Sequence, residues 1–98
     1  MQIPKKVKIG AHTFSVELKD NLSHRDEEFG KMWFDQTQIL LDKRAKKSVQ
    51  EETFFHEVGH AIGVITGLTA GMDKDEEEKF IQGFMHGVYQ FLKDNKLI

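Results

Sequence analysis

The spacing of hydrophobic residues in this chain changes once, near Ser48, and this change limits the fold classes that the chain can adopt. Before Ser48, apolar and polar residues alternate, as at Phe14, Val16 and Leu18, which is typical of strands with one buried face. After Ser48, the apolar residues recur every third or fourth position, which is typical of helices. Strands followed by helices predict an α+β fold with a small antiparallel sheet of about three to four strands.

The same pattern places the elements along the chain. Four segments are predicted as strands: 7–9, 14–18 and 32–34, which alternate, and the apolar run 39–41. Residues 19–28 are polar and are expected to form a loop. Two segments show helical periodicity: about 48–66 and 75–95. Gly67 and Gly71 predict a short loop between them. The sheet is therefore expected to pack on these two helices.

Composition limits both the size and the function classes. The chain has 98 residues, of which 39% are hydrophobic and 31% charged, and this fits one globular domain over residues 1–98. No apolar run approaches the roughly 18 residues that cross a bilayer, and we find no secretory signal, so we expect no membrane partner and a cytoplasmic location. The absence of cysteine excludes a disulfide framework and cysteine-ligated zinc. The net charge of −2 argues against a nucleic-acid partner, and we interpret the basic run 43–47 as a solvated loop.

The first predicted helix contains His56-Glu57-Val58-Gly59-His60, an H-E-x-x-H motif. Residues four apart on a helix lie about 40° apart around its axis and one turn apart along it. Both imidazoles can therefore bind one zinc ion, at Zn–N distances of about 2.0–2.1 Å. Glu57 lies beside that face, close enough to take a proton from metal-bound water as a general base. A chance match in a chain of this composition is expected only about 0.02 times.

The surroundings of the motif favour a metal site. In helical projection the apolar residues of this helix, such as Phe54 and Ala61, lie opposite His56 and His60. Such an apolar helix is expected to be mostly buried, and buried histidines and glutamates are unfavourable unless they are hydrogen-bonded or bind a metal. The alternative is a pair of core histidines satisfied by hydrogen bonds, with Glu57 in an ion pair.

The third zinc ligand must come from outside the motif, because a catalytic zinc ion takes three protein ligands and keeps one position open for water. The longer H-E-x-x-H-x-x-G-x-x-H signature is not met, since Thr66 stands where its third histidine would be. His12 and His24 lie in the strand region and are interpreted as surface residues. The better source is the acidic start of the second helix: Asp73, Asp75, Glu76, Glu77 and Glu78.

The segment Thr53–Ile62, which reads Thr-Phe-Phe-His-Glu-Val-Gly-His-Ala-Ile and is followed by an acidic helix start, resembles the gluzincin metallopeptidases. It is most similar to their smallest members: the ImmA/IrrE-like peptidases, the minigluzincins and related phage-encoded zinc peptidases. The resemblance covers roughly residues 30–95 and is specific at the motif. It implies a zincin-like fold, with a short sheet before the motif helix and a glutamate of the following helix as the third zinc ligand.

Two glutamates compete for that third position. With Glu78 as the ligand, apolar residues follow at the positions where the family has them. Amphipathicity alone centres the apolar face near Glu77 and so keeps Glu77 as an alternative. The resemblance therefore implies His56, His60 and Glu78 as the zinc ligands. Gln82, one turn after Glu78, is then a candidate for orienting a ligand histidine, and the alternative is a solvated helix residue.

These residues predict a zinc-dependent metallopeptidase that acts on a peptide or protein substrate, and the resemblance to the ImmA/IrrE-like peptidases implies a narrow specificity. Glu57 would pass a proton from the zinc-bound water to the leaving amine. An edge strand near Phe29–Phe34 would bind the substrate by strand addition. The alternative is that this segment only packs in the core, which we expect for at least two of Met32, Trp33 and Phe34. No residue is assigned to the oxyanion, since His86 is expected to face away and Tyr89 to pack. The alternatives are a non-catalytic zinc-binding regulatory domain with the same ligands and a metal-free interaction module.

Overall fold

Within residues 1–20, 22 and 29–98, which the computed structural model describes, four strands are followed by two helices. The elements are β1 (Lys6–Ile9), β2 (His12–Lys19), β3 (Gly30–Trp33), a 3-10 turn (Phe34–Gln36), β4 (Gln38–Asp42), α1 (Lys47–Thr66) and α2 (Lys74–Asp94). The predicted α+β class, with a small sheet packed on helices, is confirmed. The loop expected over residues 19–28 starts after Lys19, which belongs to β2. Residues 21 and 23–28, and with them His24, lie outside the described part of the chain.

The sheet is mixed, with the strand order β1-β2-β4-β3. The outer pairs β1–β2 and β3–β4 are antiparallel, but β2 and β4 are parallel, with Val16 opposite Ile39 and Leu18 opposite Leu41. The expectation of a wholly antiparallel sheet is therefore corrected at one pairing. The physical reason is the burial of β4, whose residues Ile39 and Leu41 are fully buried. A strand this apolar occupies the centre of the sheet, and here it lies between β2 and the short strand β3, parallel to β2.

One face of the sheet packs against α1 and forms the hydrophobic core. Phe14, Ile39 and Leu41 have no exposed surface, and they form one cluster with Phe54 and Ala61 of α1. Burial of a large apolar side chain contributes about 1.5–3 kcal/mol. This packing fixes the rotation of α1 about its own axis, so that the motif lies along the side of the helix next to β3.

The two helices form an antiparallel hairpin. α1 ends at Thr66, where Gly67 adopts the left-handed conformation (φ 72°) that glycine allows. α2 begins with a capping box. The Asp73 side chain accepts a hydrogen bond from the Glu76 backbone N–H at 2.8 Å, and the Glu76 side chain accepts one from the Asp73 backbone N–H at 3.4 Å. α2 packs mainly on α1 and not on the sheet, so its position depends chiefly on its contacts with α1.

Close approach of the helices depends on Gly59 and not on Gly83. A Cβ on Gly59 would lie 2.4 Å from Met85 Cγ and 3.1 Å from Ile81 Cγ2, whereas a Cβ on Gly83 would meet no heavy atom within 4 Å. We expect Gly59→Ala to lower the free energy of unfolding by about 1–3 kcal/mol, because α2 must shift. Gly83→Ala should raise it by about 0.5–1 kcal/mol through helix propensity. Urea denaturation measures both, and equal effects would contradict this packing.

Glu51 is a buried carboxylate that joins α1 to α2. It is 4% exposed, accepts a hydrogen bond from the Tyr89 hydroxyl at 3.1 Å, and lies 3.5 Å from Lys93 Nζ and 3.2 Å from the Met1 amino group. Burial by itself raises the pKa of Glu51, but these hydrogen bonds and positive charges outweigh it and hold the pKa below the ordinary value. Burial, together with the contact to Glu51, raises the pKa of Tyr89. Tyr89 is thus a packing residue, as expected.

The lowered pKa of Glu51 makes the stability depend on pH in a defined direction. The ionised carboxylate stabilises the fold above its unfolded pKa, and this contribution is lost as the pH falls through the lower folded pKa. We expect Glu51→Gln to lower the free energy of unfolding by about 1–3 kcal/mol at neutral pH and to flatten its decrease in acid. Thermal denaturation against pH tests this, with the exposed Glu17→Gln as the control. An equally steep acid decrease in both variants would contradict the role of Glu51.

Candidate metal centre

The two motif histidines lie one turn apart on α1 and converge on one point. Their ring centroids are 4.7 Å apart, and His56 Nε2 lies 3.1 Å from His60 Nε2. The helix runs without interruption from Lys47 to Thr66, so the predicted spacing of four residues is realised in space. Two imidazole nitrogens this close carry facing lone pairs unless a proton or a cation lies between them. The two nitrogens therefore either share one hydrogen-bonded proton or hold a cation between them.

Glu78 of α2 completes a group of three residues. Its Oε1 lies 2.7 Å from His56 Nε2 and its Oε2 lies 2.9 Å from His60 Nε2, and the ligand atoms of the three residues all lie within 4.8 Å of one another. Two imidazoles and a carboxylate form a ligand set known for catalytic zinc. At zinc–ligand distances of about 2.0–2.2 Å, tetrahedral ligand atoms lie about 3.3–3.6 Å apart. The group therefore fits the ion after a small outward shift.

Glu77 contacts the other ring nitrogen of His60. Its Oε2 lies 2.9 Å from His60 Nδ1. An ionised carboxylate only accepts hydrogen bonds, so a neutral His60 with its proton on Nδ1 donates to Glu77. Its Nε2 lone pair, which faces Glu78 and His56 Nε2, is then left for a metal. The geometry therefore favours Glu78 over Glu77 as the third ligand. Glu77 is also placed to orient His60, which is the role that the sequence suggested for Gln82. Gln82 lines the cavity, but within the described residues it makes no hydrogen bond with either histidine.

Burial keeps His56 in the protonation state that a metal requires. Removal from solvent lowers the pKa of His56 below its ordinary value, and the nearby Glu78 carboxylate opposes this effect without reversing it. The adjacent His60 lowers the pKa further. His56 is therefore neutral at pH 7, and the neutral imidazole is the form that binds metal ions.

Glu57 lies in the same cavity as the three-residue group but is not part of it. Its side chain is 7% exposed. Gly30 of β3 passes close to it, since a Cβ on Gly30 would lie 3.3 Å from Glu57 Cγ and 2.5 Å from Thr53 Cγ2. Only glycine fits there, and its small size lets β3 hold Glu57 at the wall of the cavity. A carboxylate beside a metal group in this way is arranged to act as a general base.

The cavity has a volume of about 920 Å³, which is within the range of ligand-binding sites. β3 forms one side, with Met32 and Trp33, and the start of α2 forms the other, with Lys74 and Asp75. The sequence predicted an edge strand near residues 29–34 beside the metal helix. β3 occupies that place and is the last strand of the sheet. The group of His56, His60 and Glu78 thus lies in a cleft that has β3, the outer strand among the described residues, along its rim.

A second histidine–glutamate contact near the cavity was missed from the sequence. His86 Nδ1 lies 2.6 Å from Glu52 Oε1, and Glu52 lines the cavity. His86 does not line it, in agreement with the expectation that it faces away. The sequence did contain one indication of this contact: Glu52 lies four residues before His56, so the two residues share one side of α1. Among the described lining residues there is no tyrosine, and no histidine other than His56 and His60, so no oxyanion partner is assigned.

Comparisons of this chain with protein-family models, with curated proteins and with solved structures found no match. In the described ranges, no helix combines the length and the hydrophobicity that a membrane span requires. The functional interpretation therefore depends on the geometry of the metal group and of the cleft around it.

Proposed function

We propose that this chain is a zinc-dependent metallopeptidase. The observation that carries the proposal is the meeting of His56, His60 and Glu78 in a cleft that also holds Glu57. A structural zinc site needs ligands only, whereas a catalytic one also needs a base and a path for the substrate. Glu57 supplies the base, and the cleft beside β3 supplies the path. This combination supports catalysis over a purely structural role.

The chain's own residues provide the proton transfers of peptide hydrolysis. Zinc, when bound, polarises the scissile carbonyl and lowers the pKa of water to about 7. Glu57 accepts a proton from the attacking water on a carboxylate oxygen. It then donates that proton to the amine nitrogen as the C–N bond breaks. Glu77 keeps the proton of His60 on Nδ1 and so fixes the orientation of that ring.

The edge strand β3 is the proposed docking site for the substrate backbone. β3 ends the sheet, and all four of its residues, Gly30–Trp33, line the cleft. The outer edge of a sheet is where an extended peptide can add as a further strand. Phe29 and Trp33 are each 45% exposed and give this rim apolar surface for substrate side chains. The proposed substrate is an extended segment of a peptide or protein.

Zinc content and hydrolysis, measured on the same preparation, test the proposal. Protein freed of metal by a chelator should take up about one zinc ion per chain and should then cleave a fluorogenically labelled unfolded protein. Removal of zinc should stop the reaction, and its return should restore it. His56→Ala should lack both properties. His12→Ala is the matched control, because His12 is an exposed histidine of β2 outside the cleft.

Two outcomes would change the proposal in different ways. Zinc binding with no hydrolysis across a broad set of peptides would favour a non-catalytic zinc-binding domain. The absence of an oxyanion partner among the described lining residues would then be its structural explanation. Failure to bind zinc at neutral pH would reject both functions and leave His56 and His60 as hydrogen-bonded histidines.

A further inference from the structure

The outer side of α2 is apolar and uncharged over most of its length. Residues 80–92 contain no aspartate, glutamate, lysine or arginine, although 31% of the whole chain is charged. Phe84 and Phe91 are 63% and 59% exposed, and they lie about two turns apart on one side of the helix. These exposed rings on an uncharged side of the helix form a candidate contact surface.

Four residues form this surface, which we call the α2 outer face: Phe80, Phe84, Gly87 and Phe91. At 100° per residue they fall within about 60° of one another around the helix axis. The rings of Phe80 and Phe84 stack with centroids 6.0 Å apart. A Cβ on Gly87 would meet no heavy atom within 4 Å, so no contact within the described chain requires glycine there. A second helix that crosses the face at Gly87 would require it.

We propose that the α2 outer face binds the same face of a second copy of this chain, with the two α2 helices antiparallel about a two-fold axis. The spacing of the residues makes the face complementary to itself. When the axis passes between Gly87 and Val88, Phe84 of one copy lies opposite Phe91 of the other. The same pair forms again on the other side of the axis, and the backbones cross closely at the glycines. Such self-complementarity favours a second copy over an unrelated partner.

The exposed area of the face fits a weak dimer. A fully exposed phenylalanine presents about 200 Å², so at the exposed fractions of Phe84 and Phe91 two copies would bury about 500 Å² from these rings together. The backbone and Phe80 add to this, and interfaces below about 1,200 Å² are typical of weak complexes. We expect a Kd of about 10–100 µM. Because none of the four residues of the face lines the cleft, both clefts stay open.

Sedimentation equilibrium at about 5–300 µM tests the dimer without any measurement of catalysis. The wild-type chain should show a monomer–dimer equilibrium. Phe91→Glu should raise the Kd at least about tenfold, because it places a carboxylate in each half of an apolar contact. Leu18→Glu is the matched control, since Leu18 is 50% exposed but lies on β2, and it should dimerise like the wild type. Far-UV circular dichroism checks that both variants fold.

Cysteine cross-linking tests the antiparallel register, because the chain contains no cysteine of its own. A mixture of Phe84→Cys and Phe91→Cys should form disulfide-linked dimers on mild oxidation, and each variant alone should form few. Lys79→Cys, on another side of α2, should form few in any mixture. The proposal is overturned if the wild type stays monomeric at about 300 µM. It is also overturned if Leu18→Glu dissociates as readily as Phe91→Glu, or if the single variants cross-link as well as the mixture.

Discussion

Replacement of Glu57 by glutamine should remove peptide hydrolysis and leave the zinc content unchanged. The amide has nearly the shape of the carboxylate, so the close contact with Gly30 is retained, but it does not accept a proton at neutral pH. Loss of a general base lowers the rate by about 10²–10⁴-fold. Because Glu57 is outside the group whose ligand atoms converge, the variant should still bind about one zinc ion per chain.

The rate and the zinc content should be measured on the same samples. Glu52→Gln is the matched control, because Glu52 also lines the cleft but contacts His86, and it should keep most of the activity. A Glu57→Gln variant that cleaves at the wild-type rate would contradict the role of Glu57 as the base. A variant that loses both zinc and activity would instead place Glu57 among the residues that maintain the metal group.

Glu78→Gln and Glu77→Gln make the same chemical change at neighbouring positions, and they should have very different effects on zinc binding. Glu78 lies 2.7 Å and 2.9 Å from the two Nε2 atoms, so its replacement leaves only the two histidines and should abolish stoichiometric binding at micromolar zinc. Glu77 contacts His60 Nδ1. Its replacement should weaken zinc binding about 10–100-fold, which is typical for a residue that orients a ligand.

Competition with a chromophoric zinc chelator measures both affinities. Gln82→Ala is the third variant of this series, because Gln82 lies one turn after Glu78 and lines the same cleft. It should bind zinc like the wild type. If Glu77→Gln loses zinc while Glu78→Gln retains it, the third ligand is Glu77 and the assignment made from the distances is wrong.

The hydrophobic pattern was sufficient to predict the helices but not the order of the strands. α1 and α2 begin and end within one residue of their predicted bounds, because each repeats its apolar spacing over many turns. Alternation in a strand reports which face a residue occupies, and it does not identify the neighbouring strand. The parallel pairing of β2 and β4 was therefore not predictable from it. The sequence contained one indication of the central position of β4, the unbroken apolar run Ile39–Leu41, which is typical of a strand buried on both faces.

The candidate metal site was predictable where one helix determines the geometry, and less so where two helices meet. The two motif histidines converge because the pitch of α1 places them there. Glu77 and Glu78 are adjacent, and both reach His60, at opposite nitrogens of its ring. Which glutamate meets which nitrogen depends on how α2 is rotated against α1. That rotation depends on close contacts such as Gly59 with Met85, which the apolar pattern of α2 alone does not determine.

Glu78 is carried by the helix that makes no major contact with the sheet. An ion bound by His56, His60 and Glu78 would therefore also stabilise the packing of α2 on α1. The free energy of ion binding adds to the free energy that holds the two helices together. Without the ion, α2 relies on its packing with α1 and on the buried Glu51–Tyr89 contact. If the chain binds zinc as proposed, the supply of zinc would also govern the lifetime of the protein, since a detached α2 would be the first segment exposed to proteolysis.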